Sequence, residues 1–147
     1  MSKLVRWSVP FAEEFYPSVI SAFSQSGNIP ELLKIVVAPD GIDKYPKYLV
    51  TFKNVLVFNC FDEACAPERD WPEIENADPK PCAWKWIDSP WVTSYEGCGE
   101  FDSNNSPRPL FHYLIFGGDY NVEVISKAEP VVEKINEPRN ISMSFHI

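Results

Sequence analysis

The residues best equipped for chemistry lie in FHYLIFGGDYNVEVISKAEP, residues 111 to 130, where His112, Asp119 and Glu123 surround two adjacent glycines. An imidazole beside a carboxylate is the minimal apparatus of general acid–base catalysis, since it titrates near neutrality and a carboxylate can orient its proton. Adjacent glycines also invite a phosphate-loop interpretation. That motif needs a helix directly after the glycines, with its N-terminus facing the anion. Here DYNVEVIS follows, which has strand composition, so the glycines are expected to form a hairpin turn.

With Gly117 and Gly118 as the two turn residues, Phe111, Tyr113, Ile115, Tyr120, Val122 and Val124 share one apolar face. His112 then stands opposite Glu123 on the more polar face, within reach of a charge-assisted hydrogen bond. Moving the turn to Gly118-Asp119 keeps the apolar face and places His112 opposite Ile125. A histidine satisfied structurally by a neighbour outweighs a functional one here. The other candidates are Asp62 and Glu63, an acidic pair at the end of an apolar run, and Trp91. Adjacent strand residues point to opposite faces, which makes Asp62 and Glu63 a poor acid/base pair. The sequence contains no G-x-S-x-G, H-E-x-x-H or other Ser/His/Asp signature. No catalytic residue is assigned, and no cofactor or metal is expected. Cys60, Cys65, Cys82 and Cys98 lack the paired C-x2-C spacing of zinc sites. Cys60, in an apolar run, is expected to be a small core residue with a free thiol.

These residues must be positioned by strands. YLVTFKNVLVFNCF, residues 48 to 61, is expected to form a hairpin about Lys53-Asn54, with one long bent strand as the alternative. KIVVAP and CAWKWI also have strand patterns, and DSPWVTSYEG suggests a short helix capped by Ser89 with Pro90 at its first position. Apolar residues at 11, 15, 19, 20 and 23 have helical spacing, interrupted by Pro17. A helical turn or two is expected after Pro130, then a strand at 140 to 146. Residues 62 to 81 are rich in proline and acids and suggest a long connection. The fold expected is mainly β (α+β): one antiparallel β-rich domain over residues 1–147, barrel- or sandwich-like, with one or two short helices.

The chain has 147 residues, 45% of them hydrophobic and 14% aromatic, enough for a sizeable core without disulfides or metal. Its net charge of −8 opposes nucleic-acid and anionic-membrane binding and suits a soluble protein or one that meets a basic partner. The N-terminal residues lack a signal-peptide pattern, and no apolar run approaches the ~18 residues of a membrane span. A cytoplasmic location is expected.

YPKYLVTFKNVLVFNCFDE, WKWIDSPWVTSY and FHYLIFGGDYNVEVISKAEP together resemble a family of small, uncharacterised bacterial proteins. The resemblance covers residues 45 to 130 and carries over no activity or catalytic residue. In size and acidity the chain also resembles immunity proteins of bacterial toxin systems. Three functions compete. The first is a cytoplasmic binding protein, such as an immunity protein that neutralises a basic toxin. The second is a small enzyme using His112 with Glu123, Asp119 or Glu63. The third is a carbohydrate-binding module in which Trp71, Trp84, Trp86 and Trp91 stack on sugars, set against a tryptophan-rich core, which is the more common use of this side chain.

Overall fold

The computed structural model describes residues 2–14, 17–25, 32–62, 71–76, 80–93, 95, 104, 109–118 and 120–138. In chain order the elements are β1 (Lys3–Arg6), β2 (Ser18–Gln25), β3 (Leu32–Ala38), β4 (Lys47–Lys53), β5 (Val55–Asp62), β6 (Glu73–Ile74), β7 (Ala83–Ile87), α1 (Pro90–Thr93), β8 (Phe111–Phe116), β9 (Tyr120–Ser126) and β10 (Val131–Ile135). They build a six-stranded sheet, ordered β5-β9-β8-β7-β1-β6, and a four-stranded sheet, ordered β10-β4-β3-β2. All pairings are antiparallel except that of β1 with the two-residue β6. The result is a mainly β, sandwich-like domain, as the alternating apolar patterns imply.

The core lies between the sheets. Leu33, Ile35, Val37, Val50 and Phe52 from the smaller sheet meet Ala83, Tyr113, Ile115, Val122 and Val124 from the larger. Trp7 and Phe11, in the turns after β1, close one side: Trp7 packs 4.7 Å from Tyr113 and 6.2 Å from Phe11, ring centre to ring centre. Burying such rings accounts for much of the apolar area withdrawn from water.

The hairpin expected at 48 to 61 does not form. β4 joins the four-stranded sheet and β5 the six-stranded one. The segment is a continuous extended run broken at Asn54, whose φ of 55° turns the chain from one sheet to the other. Asn is among the few residues that tolerate this left-handed conformation, so the expected turn residue instead makes a corner. β5 is an edge strand, which leaves Cys60 exposed; Cys82 is the buried thiol. The expectation that Cys60 belongs to the core is therefore overturned.

The helix expected over 11 to 25 is replaced by turns at 10–13 and by β2. Proline at 17 denies a helix its hydrogen bond, and Val19 and Ile20 are stiff residues that suit strands. The turn of helix expected after Pro130 is β10, paired with β4 from Val131↔Thr51 to Ile135↔Lys47. Its Ile135 is buried against Val36 and Leu49 on the far face of the smaller sheet. The strand expected at 140 to 146 lies outside the described residues. No described helix is long and apolar enough to cross a membrane.

Candidate functional site

The β8–β9 hairpin takes the Gly118-Asp119 register. His112 faces Ile125, Leu114 faces Glu123 and Phe116 faces Asn121, so the expected facing pair of His112 and Glu123 is displaced by two residues. In this register Gly117 is closely surrounded by backbone. A Cβ there would lie 2.5 Å from the Tyr120 carbonyl and 3.0 Å from that of Pro17. Gly117 is thus the point where the hairpin end meets the start of β2, and its N–H donates to Tyr120 O at 3.0 Å. It needs space rather than left-handed dihedrals, contrary to the turn role expected for it.

His112 and Glu123 nevertheless meet. They are diagonal neighbours on the outer face of the six-stranded sheet, within reach of long side chains, and His112 Nε2 lies 2.9 Å from Glu123 Oε2. On the other side of the ring, Ser89 Oγ lies 2.7 Å from Nδ1. Asn59 Nδ2 donates to the second carboxylate oxygen, Oε1, at 3.0 Å. A polar row, Ser89–His112–Glu123–Asn59, therefore crosses the outer face from the end of β7 through β8 and β9 to β5. Ser89, His112 and Glu123 are all at least 97% buried.

The acceptor-only carboxylate takes the Nε2–H of His112; in the neutral ring Nδ1 is then the acceptor of the Ser89 O–H. Ser89 Oγ in turn accepts the Trp91 N–H at 3.2 Å, capping α1 as the sequence suggests. Asp88, with φ of 51°, makes the sharp bend that delivers Ser89 from β7 to this position.

A Ser–His–Glu sequence of hydrogen bonds is the outline of a nucleophile, base and orienting acid. Two features separate this one from a working acyl-transfer site. Ser89 Oγ is engaged on both sides and is withdrawn from solvent. The residue after it is Pro90, which has no N–H to offer a developing oxyanion.

Trp86 covers the His112 ring face to face, at 5.0 Å and 18° between planes. Trp71 stacks on Trp86 at 5.6 Å and 27°, and meets Phe116 edge-on at 6.3 Å. Beneath Trp71 is a groove of about 360 Å³, walled by Leu4, Ile74, Trp84 and Phe116. Cys82 also lines it; burial pushes this thiol up to about 12, and its Sγ lies 3.2 Å from the Phe11 carbonyl oxygen. Glu14 and Lys80 supply the charge of the lining. Trp71 remains 42% exposed and Ile74 50%.

No family model, curated protein or solved structure matches this chain. The resemblance seen in the short motifs gains no support from them, and the site has to be argued from its own geometry.

Of the sequence candidates, the fold brings together His112 and Glu123. Asp62 is exposed at the end of β5, opposite Tyr120, with the strand parity opposite to that of Asn59. Trp91 reaches the row through its backbone, with its side chain 43% exposed. Asp119 and Glu63 lie outside the described residues, as do Cys65 and Cys98. The tryptophans divide: Trp7, Trp84 and Trp86 are buried, and Trp71 and Trp91 are half exposed. Ser89's link to His112, and Asn59 altogether, were missed. Both contacts depend on strand pairings between segments far apart in sequence, and a serine that reads as a helix cap gives no second signal. Among the described residues no three His, Cys, Asp or Glu side chains cluster in a way that could hold a metal.

Proposed function

We propose that the protein is a binding protein whose groove on the outer face of the six-stranded sheet receives a flat, apolar ring. One observation carries this reading: Trp71 stands over a concave, aromatic-walled space and is held there by a stack. The stack runs through Trp86 to His112, and His112 is fixed at both nitrogens. A half-exposed indole prepositioned in this way loses little freedom when a ring packs beside it. The groove is at the small end of ligand pockets, which span about 300–1,000 Å³, so a single ring system suits it better than a polymer.

In this reading the polar row is a brace. It keeps Trp86 in plane, and Trp86 keeps Trp71 at the mouth. The acidic balance of the chain, −8 overall, adds a general attraction for basic partners, including the basic toxin of an immunity pair, without locating a contact surface for one. A second reading, acyl transfer from Ser89, is favoured by the order of the row and opposed by its closure. A serine-directed fluorophosphonate separates the two: the brace predicts no labelling of the folded protein at Ser89.

The direct test is calorimetric titration with indole. Wild type is expected to bind, and Trp71→Ala to lose at least tenfold in affinity while remaining folded, because Trp71 is half exposed. Unchanged affinity in Trp71→Ala would remove the groove from the account.

A further inference from the structure

Two charged side chains stand at the groove, and they have opposite signs: Glu14 and Lys80. Both are exposed, and among the described residues neither forms an ion pair. The neighbouring Glu13 is different, held by Arg6 at 2.6 Å. Glu75, beyond Ile74, is likewise engaged: its Oε2 accepts the Arg6 N–H at 2.8 Å. Glu13 and Glu75 are therefore committed to Arg6, whereas Glu14 lines the same groove as Lys80.

We propose, resting on the groove reading above, that the ligand is a zwitterionic aromatic molecule of the class of a free aromatic amino acid. Its ring packs in the groove lined by Leu4, Trp71, Ile74 and Trp84. Its ammonium group faces Glu14 and its carboxylate faces Lys80. A ring without charge leaves both side chains merely solvated. A ring bearing one charge satisfies one of them and is opposed by the other. Only a compact molecule with both signs matches both, and the groove's volume of about 360 Å³ holds one ring with a short charged arm.

Four probes share one ring system: indole, tryptamine, indole-3-acetate and L-tryptophan. Their affinities are measured by calorimetry for wild type, Glu14→Gln and Lys80→Met at low ionic strength, where exposed ion pairs are least screened. L-tryptophan is expected to bind most tightly. Each charge should contribute about two- to fivefold, the range of exposed ion pairs. Glu14→Gln should abolish the advantage of an ammonium group without affecting that of a carboxylate, and Lys80→Met the reverse. If indole binds as tightly as L-tryptophan, or if neither substitution changes the order of the probes, the zwitterion proposal is overturned while the groove reading stands. If indole fails to bind wild type, the groove reading itself falls, and this proposal with it.

Discussion

Ser89→Ala separates a brace from a nucleophile in a single substitution. The hydroxyl caps α1 through the Trp91 N–H at 3.2 Å and donates to His112 Nδ1 at 2.7 Å. Losing a serine cap costs about 0.5–2 kcal/mol. Leaving a buried acceptor without its donor costs about 1–3 kcal/mol, and the His112 side chain is fully buried, so water cannot replace the hydroxyl. The two losses share one oxygen and are not strictly additive, which gives about 2–4 kcal/mol. For a domain of this length that corresponds to a fall in melting temperature of roughly 4–16 °C. Urea unfolding followed by both tryptophan fluorescence and circular dichroism measures it, and coincident curves establish two-state behaviour. Glu123→Gln is the matched control. Its amide oxygen can accept from His112, and Asn59, exposed at the row's end, can turn its own oxygen to the new NH₂. Its cost should stay below about 1 kcal/mol. A Ser89→Ala protein within about 0.5 kcal/mol of wild type would refute the brace.

Other consequences follow from particular contacts. Gly117→Val should destabilise the fold by about 1–3 kcal/mol in the same assay, because its Cβ would press on two backbone carbonyls, those of Tyr120 and Pro17. In native thiol titration with mass mapping, Cys60, exposed on the edge strand, should react well before Cys82, which is 94% buried. Cys82 also sets an alkaline limit. Burial pushes its thiol up to about 12 from the 9.0 of an exposed thiol, so the unfolded chain releases a proton first. Stability is therefore complete below pH 9 and falls as pH rises from 9 toward 12, by up to about 1.4 kcal/mol per pH unit. Burial raises the Tyr113 hydroxyl in the same direction and extends the loss upward. A flat stability profile from pH 8 to 11 would contradict this burial of Cys82.

The sequence made the sheet-forming segments legible because their apolar residues alternate. It did not reveal which strands pair. The run from 48 to 61 shows this: a pattern that fits a hairpin fits equally well a strand that changes sheets, and only the tertiary choice at Asn54 decides. Over 11 to 25 the apolar residues match helical spacing, while Pro17, Val19 and Ile20 point to the strand that forms, and after Pro130 the β-branched Val131 and Val132 point to a strand where a helical turn is expected. The meeting of His112 with Glu123 was expected for the wrong register and occurs because diagonal neighbours also reach one another. The groove was hidden because it gathers Leu4, Trp71, Trp84 and Phe116 from four separated parts of the chain. No local pattern marks such a set, and tryptophans that wall a groove look the same in sequence as tryptophans that fill a core.

The most direct measurement of the central claim is chemical-shift mapping by nuclear magnetic resonance with unlabelled indole added to ¹⁵N-labelled protein. The account predicts concentration-dependent shifts confined to the Trp71 and Trp84 indole N–H signals and to the amides of Ile74, Cys82 and Phe116, which line the groove. Shifts centred on Ser89 and His112, or scattered over the surface with no cluster at the groove, would contradict it.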